Sequence, residues 1–292
     1  MSRTEATPRA TDLAGPVRRV LVIGATGYIG AAVARALDRH GYEVVAMSRR
    51  DNAGPYPTVP GDLTRPETLA AALDAARPDA IVHAGQFHAS AELAALTTLL
   101  ARGVPVFYTS GIWWLGAVGS LPFAEDPPVG DSTRARAERL VLAAAPRVRT
   151  VVIRPGVVYG HGDGIPGEMI AWARKYGAGR YVGAGSVRWP TVHVDDLAEL
   201  FVLAIERAEP GAILHGIGDG AVRVSEIAAA ADKAAGGTGR AEAWPVEEAA
   251  IELGEQYAGS LALDQAFSSV RTRMALDWHP KRPGIKDELL QS

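Results

Sequence analysis

The chain has 292 residues, 48% of them hydrophobic and 7% aromatic, and a formal net charge of −3. This balance gives no electrostatic basis for binding nucleic acid or an anionic membrane, and no apolar run reaches the roughly 18 residues of a membrane-spanning helix. The absence of cysteine excludes disulfides, thiolate metal sites and cysteine nucleophiles. We therefore expect a cytoplasmic globular protein, a monomer or homodimer, with no metal and no nucleic-acid or membrane partner.

Residues 1–17 lack an apolar stretch and are expected to form a disordered tail and no signal peptide. Apolar strand-like runs then alternate with alanine-rich helical patterns. The predicted strands are 19–23, 43–47, 56–59, 79–83, 104–109 and 148–153, and the predicted helices are 28–40, 66–76, 89–102 and 131–145. This order predicts an α/β fold, a doubly wound parallel Rossmann sheet with helices on both faces.

After residue 160 the alternation is less regular, because glycine and proline interrupt it. The predicted elements there are a helix over 195–207, a strand over 212–215, a helix capped by Ser225 and a helix after Ser268 or Ser269. We expect 18–160 to form a dinucleotide-binding core, and 161–292 to complete the sheet and form a small substrate lobe.

A glycine-rich turn follows the first predicted strand, in the segment Gly24-Ala25-Thr26-Gly27-Tyr28-Ile29-Gly30. The first glycine permits a tight turn, the second lets the backbone approach a pyrophosphate, and the third lets the next helix pack closely. The helix N-terminus would face the phosphates. The predicted dinucleotide contacts in this turn are Gly24, Thr26, Gly27, Tyr28 and Ile29.

The end of the second predicted strand indicates which dinucleotide binds. An NAD site usually carries Asp or Glu there for the ribose hydroxyls, whereas this strand ends Ser48-Arg49-Arg50. Arginine is suited to a 2′-phosphate, so we predict NADP(H), with a solvated basic loop as the alternative. Asp62 and Leu63 follow the third strand, where a carboxylate can accept from the adenine amine.

Six motifs make the chain resemble the short-chain dehydrogenase/reductase superfamily, in the extended branch that includes NAD-dependent epimerases and dehydratases. They lie at 24–30, 61–63, 82–85, 108–111, 154–160 and 192–198, and the resemblance covers about residues 18–280. It implies further cofactor contacts at Ala84, Gly85, Pro155 and Val157.

The chain departs from this family at its catalytic pair, Tyr-x-x-x-Lys. There is no Tyr between Tyr108 and Tyr159 and no Lys before Lys175. Aligning the helix that carries the pair places Gly130 at the Tyr position and Arg134 at the Lys position. Arg134 is expected to bind the nicotinamide ribose, but general acid catalysis must come from another group.

Two hydroxyls at the end of the fifth predicted strand, Thr109 and Ser110, are the first candidates for catalysis, because ligands bind at this edge of such sheets. Tyr159 is the third candidate, and the alternative for each is a purely structural role. His161, His193 and His88 are weaker candidates, and His83 is interpreted as a core residue.

The predicted substrate pocket is apolar and partly aromatic. Its residues are Phe87, His88, Trp113, Trp114, Tyr159, Trp189 and His193, with ordinary core packing as the alternative. The sequence thus favours an NADP(H)-dependent oxidoreductase that transfers hydride to an apolar small molecule such as a ketone, enone or imine. The alternatives are a non-redox isomerase, epimerase, cyclase or dehydratase, and a non-catalytic NADP(H)-binding sensor.

Overall fold

The computed structural model describes residues 17–49, 54–117 and 130–291, which form two compact units. The described residues of the first unit are 17–49, 54–109, 130–152 and 201–213, and those of the second are 110–117, 153–200 and 214–291. This division differs from the predicted boundary at residue 160, because the chain passes between the units several times. The predicted tail lies almost entirely outside the described residues.

The strands are β1 (Arg19–Ile23), β2 (Glu43–Ser48), β3 (Thr58–Pro60), β4 (Ala80–His83), β5 (Val106–Thr109), β6 (Thr150–Pro155), β7 (Val157–Gly160), β8 (Gly179–Val182), β9 (Arg188–His193), β10 (Ala212–Gly216), β11 (Asp219–Arg223) and β12 (Ala241–Trp244). The helices are α1 (Tyr28–Arg39), α2 (Glu67–Ala76), α3 (Glu92–Leu100), α4 (Thr133–Ala144), α5 (Gly164–Tyr176), α6 (Val194–Arg207), α7 (Val224–Ala234), α8 (Val246–Leu253), α9 (Glu255–Leu261), α10 (Val270–Leu276) and α11 (Ile285–Gln291). None of these helices is both long and apolar enough to cross a bilayer.

The first unit is built on a seven-stranded sheet with the order β10-β6-β5-β4-β1-β2-β3. Strand β1 pairs in parallel with β2 and β4, β2 pairs in parallel with β3, and β4 pairs in parallel with β5. Four consecutive apolar residues of β1, Val20 to Ile23, are at most 1% exposed, as expected for a central strand covered on both faces. The strand order reverses between β1 and β4, which is where doubly wound sheets bind ligands. The predicted α/β fold is confirmed.

Within the first unit, Arg149, the residue before β6, connects this strand to the end of α6. The Arg149 guanidinium donates to the backbone carbonyls of Ala204, Ile205 and Ala208, at 2.8–3.2 Å. These carbonyls belong to the last turn of the helix and the residue after it, where no backbone N–H of the helix is available to donate to them. One side chain therefore caps α6 and ties it to the sheet.

The second unit contains two small sheets, β11-β9-β7 and β12-β8, beside helices α5 and α7. Trp189 and Trp244 lie in its apolar core, 2% and 3% exposed. The helix predicted to be capped by Ser225 begins at Val224, with Arg223 at the N-cap position. Ser225 was therefore misassigned as a cap. Its hydroxyl donates to the Gly185 carbonyl at 3.1 Å.

Candidate functional site

The glycine-rich turn leaves no room for side chains between β1, β4 and α1. Gly24 has a φ of +84°, and a Cβ on it would stand 2.5 Å from the Ala84 carbonyl oxygen. A Cβ on Gly30 would stand 2.1 Å from the Gly24 carbonyl oxygen. These two positions therefore pack backbone against backbone, which a larger side chain would prevent. Gly24 and Gly27 also line the groove described next, where their backbone can approach the pyrophosphate of a dinucleotide.

A groove of about 240 Å³ lies at the carboxyl ends of β1, β2 and β4. It belongs entirely to the first unit. Its lining residues are Ile23, Gly24, Thr26, Gly27, Met47, Ser48, Arg49, Gly61, Asp62, Leu63, Ala84, Gly85, Gln86 and His88. The edge of the sheet at which the strand order reverses thus carries a concave site of dinucleotide type.

The groove brings together nine residues that were predicted to bind the cofactor: Gly24, Thr26, Gly27, Ser48, Arg49, Asp62, Leu63, Ala84 and Gly85. It also includes Ile23, Met47, Gly61 and Gln86, which the sequence analysis missed, and His88, which was predicted for the substrate pocket.

Other predicted cofactor residues lie elsewhere. Tyr28 and Ile29 open α1 and do not line the groove. Pro155 and Val157 belong to the second unit, where Val157 is 4% exposed in the apolar core. Arg50 lies outside the described residues.

The charges of the groove suit a phosphorylated nucleotide. Thr64 donates to Asp62 Oδ1 from its backbone N–H at 2.9 Å and from its hydroxyl at 2.8 Å. These hydrogen bonds hold the pKa of Asp62 below its usual value, with a smaller contribution from Arg49. Asp62 is therefore an ionised acceptor at neutral pH. Arg49 is exposed at the end of β2, where it can meet an anion.

Arg134 is the second residue of α4, whose N-cap is Ser132. Its Cζ lies 3.7 Å from the centre of the Phe87 ring, and its Nη1 lies 3.5 Å from the Tyr108 hydroxyl. Arg134 and Phe87 do not line the groove. Phe87, predicted to contact substrate, instead supports a guanidinium group.

Thr109 is the last residue of β5 and is partly buried, and Ser110, which follows it directly, is buried. Ser110 is 8% exposed, and its Oγ accepts from Trp114 Nε1 at 3.3 Å. Thr109 Oγ1 is buried without a hydrogen-bond partner among the described residues. The Arg154 guanidinium lies 5.4 Å from the Trp114 ring centre, while Trp113 lines a separate groove beside Tyr257 in the second unit.

Two predicted site residues have structural roles in the second unit. Tyr159 is 4% exposed and donates its hydroxyl to the Pro283 carbonyl at 2.7 Å. Burial raises its pKa far above the usual value, and nearby carboxylates add to this effect. Trp189 donates from Nε1 to the Leu261 carbonyl at 3.1 Å and lies in the core. These contacts contradict a proton-donor role for Tyr159 and a pocket-wall role for Trp189.

His193 lies in a cluster of histidines and carboxylates. Its Nδ1 accepts from the Asp195 backbone N–H at 3.1 Å, and its Nε2 lies 3.5 Å from Glu288 Oε1. His161 Nε2 lies 3.2 Å from Asp195, which also contacts Arg282 at 3.2 Å. Both His193 nitrogens therefore face protein partners, and we assign the cluster to anchoring of α11 and the segment before it. His193 was predicted to be a substrate contact, which this arrangement does not support.

The comparisons with known proteins agree with this geometry. The model of the NAD dependent epimerase/dehydratase family matches residues 20–104 and 131–215.

The chain belongs to this family.

Relatives of this epimerase/dehydratase-family chain include proteins with reductase names. The 2-alkyl-3-oxoalkanoate reductase of Stenotrophomonas maltophilia (strain K279a) is 30% identical over 68% of each chain. The 3-diazoavenalumate denitrifying reductase of a Streptomyces species is 28% identical over 93% of this chain and 99% of that protein. The structure of human SDR39U1 (isoform 2) with NADPH is 25% identical, with a TM-score of 0.73 and coverage of 94% and 98%.

Proposed function

We propose that the protein is an NADP(H)-dependent reductase of apolar small-molecule metabolites that carry a ketone, enone or imine group. The observation that carries the proposal is Arg49, an exposed cation that lines the dinucleotide groove directly after β2. The sequence has no Asp or Glu at residues 46–50 of this strand end. A 2′-phosphate is the natural ligand of an arginine at this place. The NADPH in the human SDR39U1 structure and the reductase names of two relatives support the same conclusion.

The groove residues and Arg134, which lies outside the groove, each have a role in this proposal. The backbone of Gly24 and Gly27 holds the pyrophosphate, the Asp62 carboxylate accepts from the adenine amine, and Arg49 pairs with the 2′-phosphate. Arg134 takes the ribose hydrogen bonds of the missing lysine. The cofactor supplies the hydride when it is bound.

The proton that reduction requires cannot come from a Tyr-x-x-x-Lys pair in this chain. We assign the orientation of the substrate oxygen to Ser110, whose hydroxyl already accepts a hydrogen bond from Trp114. Water or the substrate itself completes the proton transfer.

The test is the Arg49→Ala variant, with the dissociation constants of NADPH and NADH measured by titration. Loss of a charge-assisted contact of about 1.5–3 kcal/mol should weaken NADPH binding by roughly 10- to 100-fold. NADH binding should change by less than about threefold, because NADH has no 2′-phosphate. Arg65→Ala is the matched control, since Arg65 is exposed near the groove and does not line it. Equal affinity of the wild type for NADPH and NADH would contradict the proposal.

A non-redox or non-catalytic role is the second candidate. It is favoured by Gly130 and Arg134 at the positions of the catalytic pair, and by the enclosed hydroxyl of Ser110. An isomerase, epimerase, cyclase or dehydratase would convert its substrate without net consumption of NADPH. A sensor would bind NADPH tightly and leave a panel of ketones, enones and imines unchanged.

A further inference from the structure

The segment after β5 makes a single helical turn over Trp113–Leu115, and we call residues 112–116 the tryptophan turn. The chain folds back closely enough there to bring Trp114 Nε1 to 3.3 Å from Ser110 Oγ. The backbone N–H of Ser110 donates to the Ile153 carbonyl at 2.7 Å, so Ser110 itself is held in place. The position of the tryptophan turn therefore decides what the Ser110 hydroxyl meets.

The indole of Trp114 limits where the Ser110 hydroxyl can send its proton. An indole nitrogen only donates, whereas a hydroxyl has one proton and two lone pairs. Because Trp114 occupies one lone pair, the Ser110 proton cannot point at the indole and is left for a different acceptor. In the proposed function, that acceptor is the oxygen or nitrogen atom of the group to be reduced.

Gln265 holds the tryptophan turn from below. It is 0% exposed and lies in the segment between α9 and α10. Its Nε2 donates to the Ile112 carbonyl at 3.0 Å and to the Gly116 carbonyl at 2.7 Å. Since both partners are carbonyl oxygens, the amide nitrogen has to face them. One side chain thus binds both ends of the turn.

The segment that carries Gln265 is itself fixed to β9. The Gln265 backbone N–H donates to the Arg188 carbonyl at 2.9 Å. The neighbouring Asp264 carboxylate accepts from Arg188 Nε at 2.9 Å and from Nη2 at 2.6 Å. Such bidentate pairs are geometrically specific. The Gln265 amide therefore reaches the turn from a fixed base.

Packing alone does not explain an amide at this position. Gln265 Oε1 is buried without a hydrogen-bond partner among the described residues, and an apolar side chain of similar length would avoid that loss. Ile112 is 2% exposed and packs against Ile217 and Phe267, so apolar contacts at the turn exist without the amide. The specific contribution of the amide is the orientation of the turn.

We propose that Gln265 is a positioning residue, which acts through the tryptophan turn to hold the Trp114 indole on Ser110 and so directs the serine proton toward the substrate. The reducible group must then carry an acceptor atom, a carbonyl oxygen or an imine nitrogen, where it meets Ser110. The substrate part of this inference rests on the proposed function. The hydrogen bond from Trp114 to Ser110 is a property of the protein without cofactor.

The first experiment needs neither cofactor nor substrate. A nitrogen–proton correlation NMR spectrum of the full chain reports the indole N–H groups of its six tryptophans, and Trp114→Phe identifies the Trp114 signal. Ser110→Ala should shift this signal upfield, because the N–H loses its acceptor. Gln265→Met keeps the side-chain length without the donors, and it should shift the same signal in the same direction. An unchanged Trp114 signal in Gln265→Met overturns the inference.

Gln265→Asn is the second variant at this position. It withdraws the same amide by one methylene, so it tests the inference even if Gln265→Met does not fold. The Trp114 signal should again shift upfield, and a signal at the wild-type position overturns the inference.

The second experiment measures kcat and KM with cyclohexanone, cyclohexenone and pyrroline as probes, together with the dissociation constant of NADPH. Trp114→Phe and Gln265→Met should each lower kcat about fivefold, because the serine proton loses its fixed direction. NADPH affinity should stay within about twofold, since neither residue lines the dinucleotide groove. Combination of either variant with Ser110→Ala should lower kcat no further than Ser110→Ala alone. Additive losses overturn the inference.

Two control variants separate positioning from stability. Trp278 is 1% exposed in the same unit and donates from Nε1 to the Asp196 carbonyl at 3.0 Å, so Trp278→Phe removes a similar hydrogen bond away from Ser110. Gln291→Met repeats the glutamine change on an exposed position of α11. Both should keep the Trp114 signal and kcat, even where Trp278→Phe lowers the midpoint of urea unfolding. An equal loss of kcat in Trp278→Phe and Trp114→Phe overturns the inference.

Failure of the wild type to reduce any of the three probes would count against the proposed function. The NMR comparison then decides the inference by itself. A shifted Trp114 signal in the Gln265 variants supports the link from Gln265 to Ser110, and an unshifted signal overturns it.

Discussion

At the scale of single residues, Tyr159 and Ser110, two of the three hydroxyls predicted for catalysis, have different surroundings. Tyr159 is buried and donates a hydrogen bond to the backbone carbonyl of Pro283. Ser110 accepts a hydrogen bond and keeps its own proton available for a further acceptor. The difference separates a residue that supports the fold from one that can serve a substrate.

Tyr159→Phe should reduce stability and leave turnover unchanged. The variant loses the hydrogen bond to the Pro283 carbonyl, which contributes about 1 kcal/mol to folding. Urea unfolding should show this decrease, while kcat with any reducible substrate stays within about twofold of the wild type. Slower turnover at unchanged stability would return Tyr159 to the list of proton donors.

Ser110→Ala should have the opposite profile. We expect at least a roughly tenfold loss of turnover, equivalent to about 1.4 kcal/mol of barrier, because the substrate oxygen loses its hydroxyl partner. The unfolding free energy should fall by only about 1 kcal/mol, since the Trp114 N–H loses one acceptor. Normal kcat in this variant would place substrate orientation elsewhere.

Nine of the residues that line the groove were predicted as cofactor contacts, because the glycine turn and the strand ends are contiguous in sequence. Met47 and Gln86 were missed because nothing in a single sequence shows that they turn toward the groove. Trp189 was misassigned for a similar reason. The sequence pattern of an aromatic residue near a loop is compatible with a pocket wall or with the core. For Trp189, the hydrogen bond from Nε1 to the Leu261 carbonyl assigns the residue to the core.

At the scale of helices and strands, the first sheet was predictable from apolar runs such as Val20 to Ile23. The second unit was largely missed, because its strands are short and rich in glycine, proline and charge. Strand β9 reads Arg-Trp-Pro-Thr-Val-His and gains its structure by pairing with β7 and β11. Helix α5 was missed since it opens Gly-Ile-Pro-Gly, although Asp163 caps it by accepting the Gly164 N–H at 2.7 Å.

Gly30→Ala should displace α1 from the glycine turn. The new Cβ would stand 2.1 Å from the Gly24 carbonyl oxygen, which is backbone and cannot rotate away. We expect a loss of about 1–3 kcal/mol in unfolding free energy together with loss of NADPH binding, measured by urea unfolding and titration.

The matched control is Gly259→Ala in α9, where a Cβ would meet nothing within 4 Å. Stability should stay constant or rise by up to about 1 kcal/mol, because alanine is the better helix former. NADPH affinity should not change. An unaffected Gly30→Ala protein would show that α1 can move without consequence for the turn.

At the scale of the whole molecule, the two units are interleaved along the chain. The first unit uses residues 201–213, which lie within the segment 161–292 that was expected to complete the sheet. This segment includes the carbonyls of Ala204, Ile205 and Ala208, which the Arg149 guanidinium binds. It also supplies the first residues of β10, the edge strand of the main sheet.

A fragment that ends at residue 160 should therefore not fold as an independent dinucleotide-binding domain. It lacks the strand at the sheet edge and leaves Arg149 without its acceptors. Circular dichroism should show no cooperative thermal transition, and NADPH should not stabilise the fragment. The full chain is the control, and it should gain about 2.7 kcal/mol at an NADPH concentration 100 times its dissociation constant. A cooperative fragment that binds NADPH would show that residues 201–213 are dispensable.

The interleaving also limits how such a protein can diversify. Segments of the first unit alternate with segments of the second unit along the chain. A recombination event with one crossover point therefore cannot replace the whole second unit by that of a relative. Chimeras with one crossover point would inherit mismatched halves of both units. New specificity in this chain must then arise by point substitution and by small insertions in loops, so sequence divergence between relatives should be gradual and not modular.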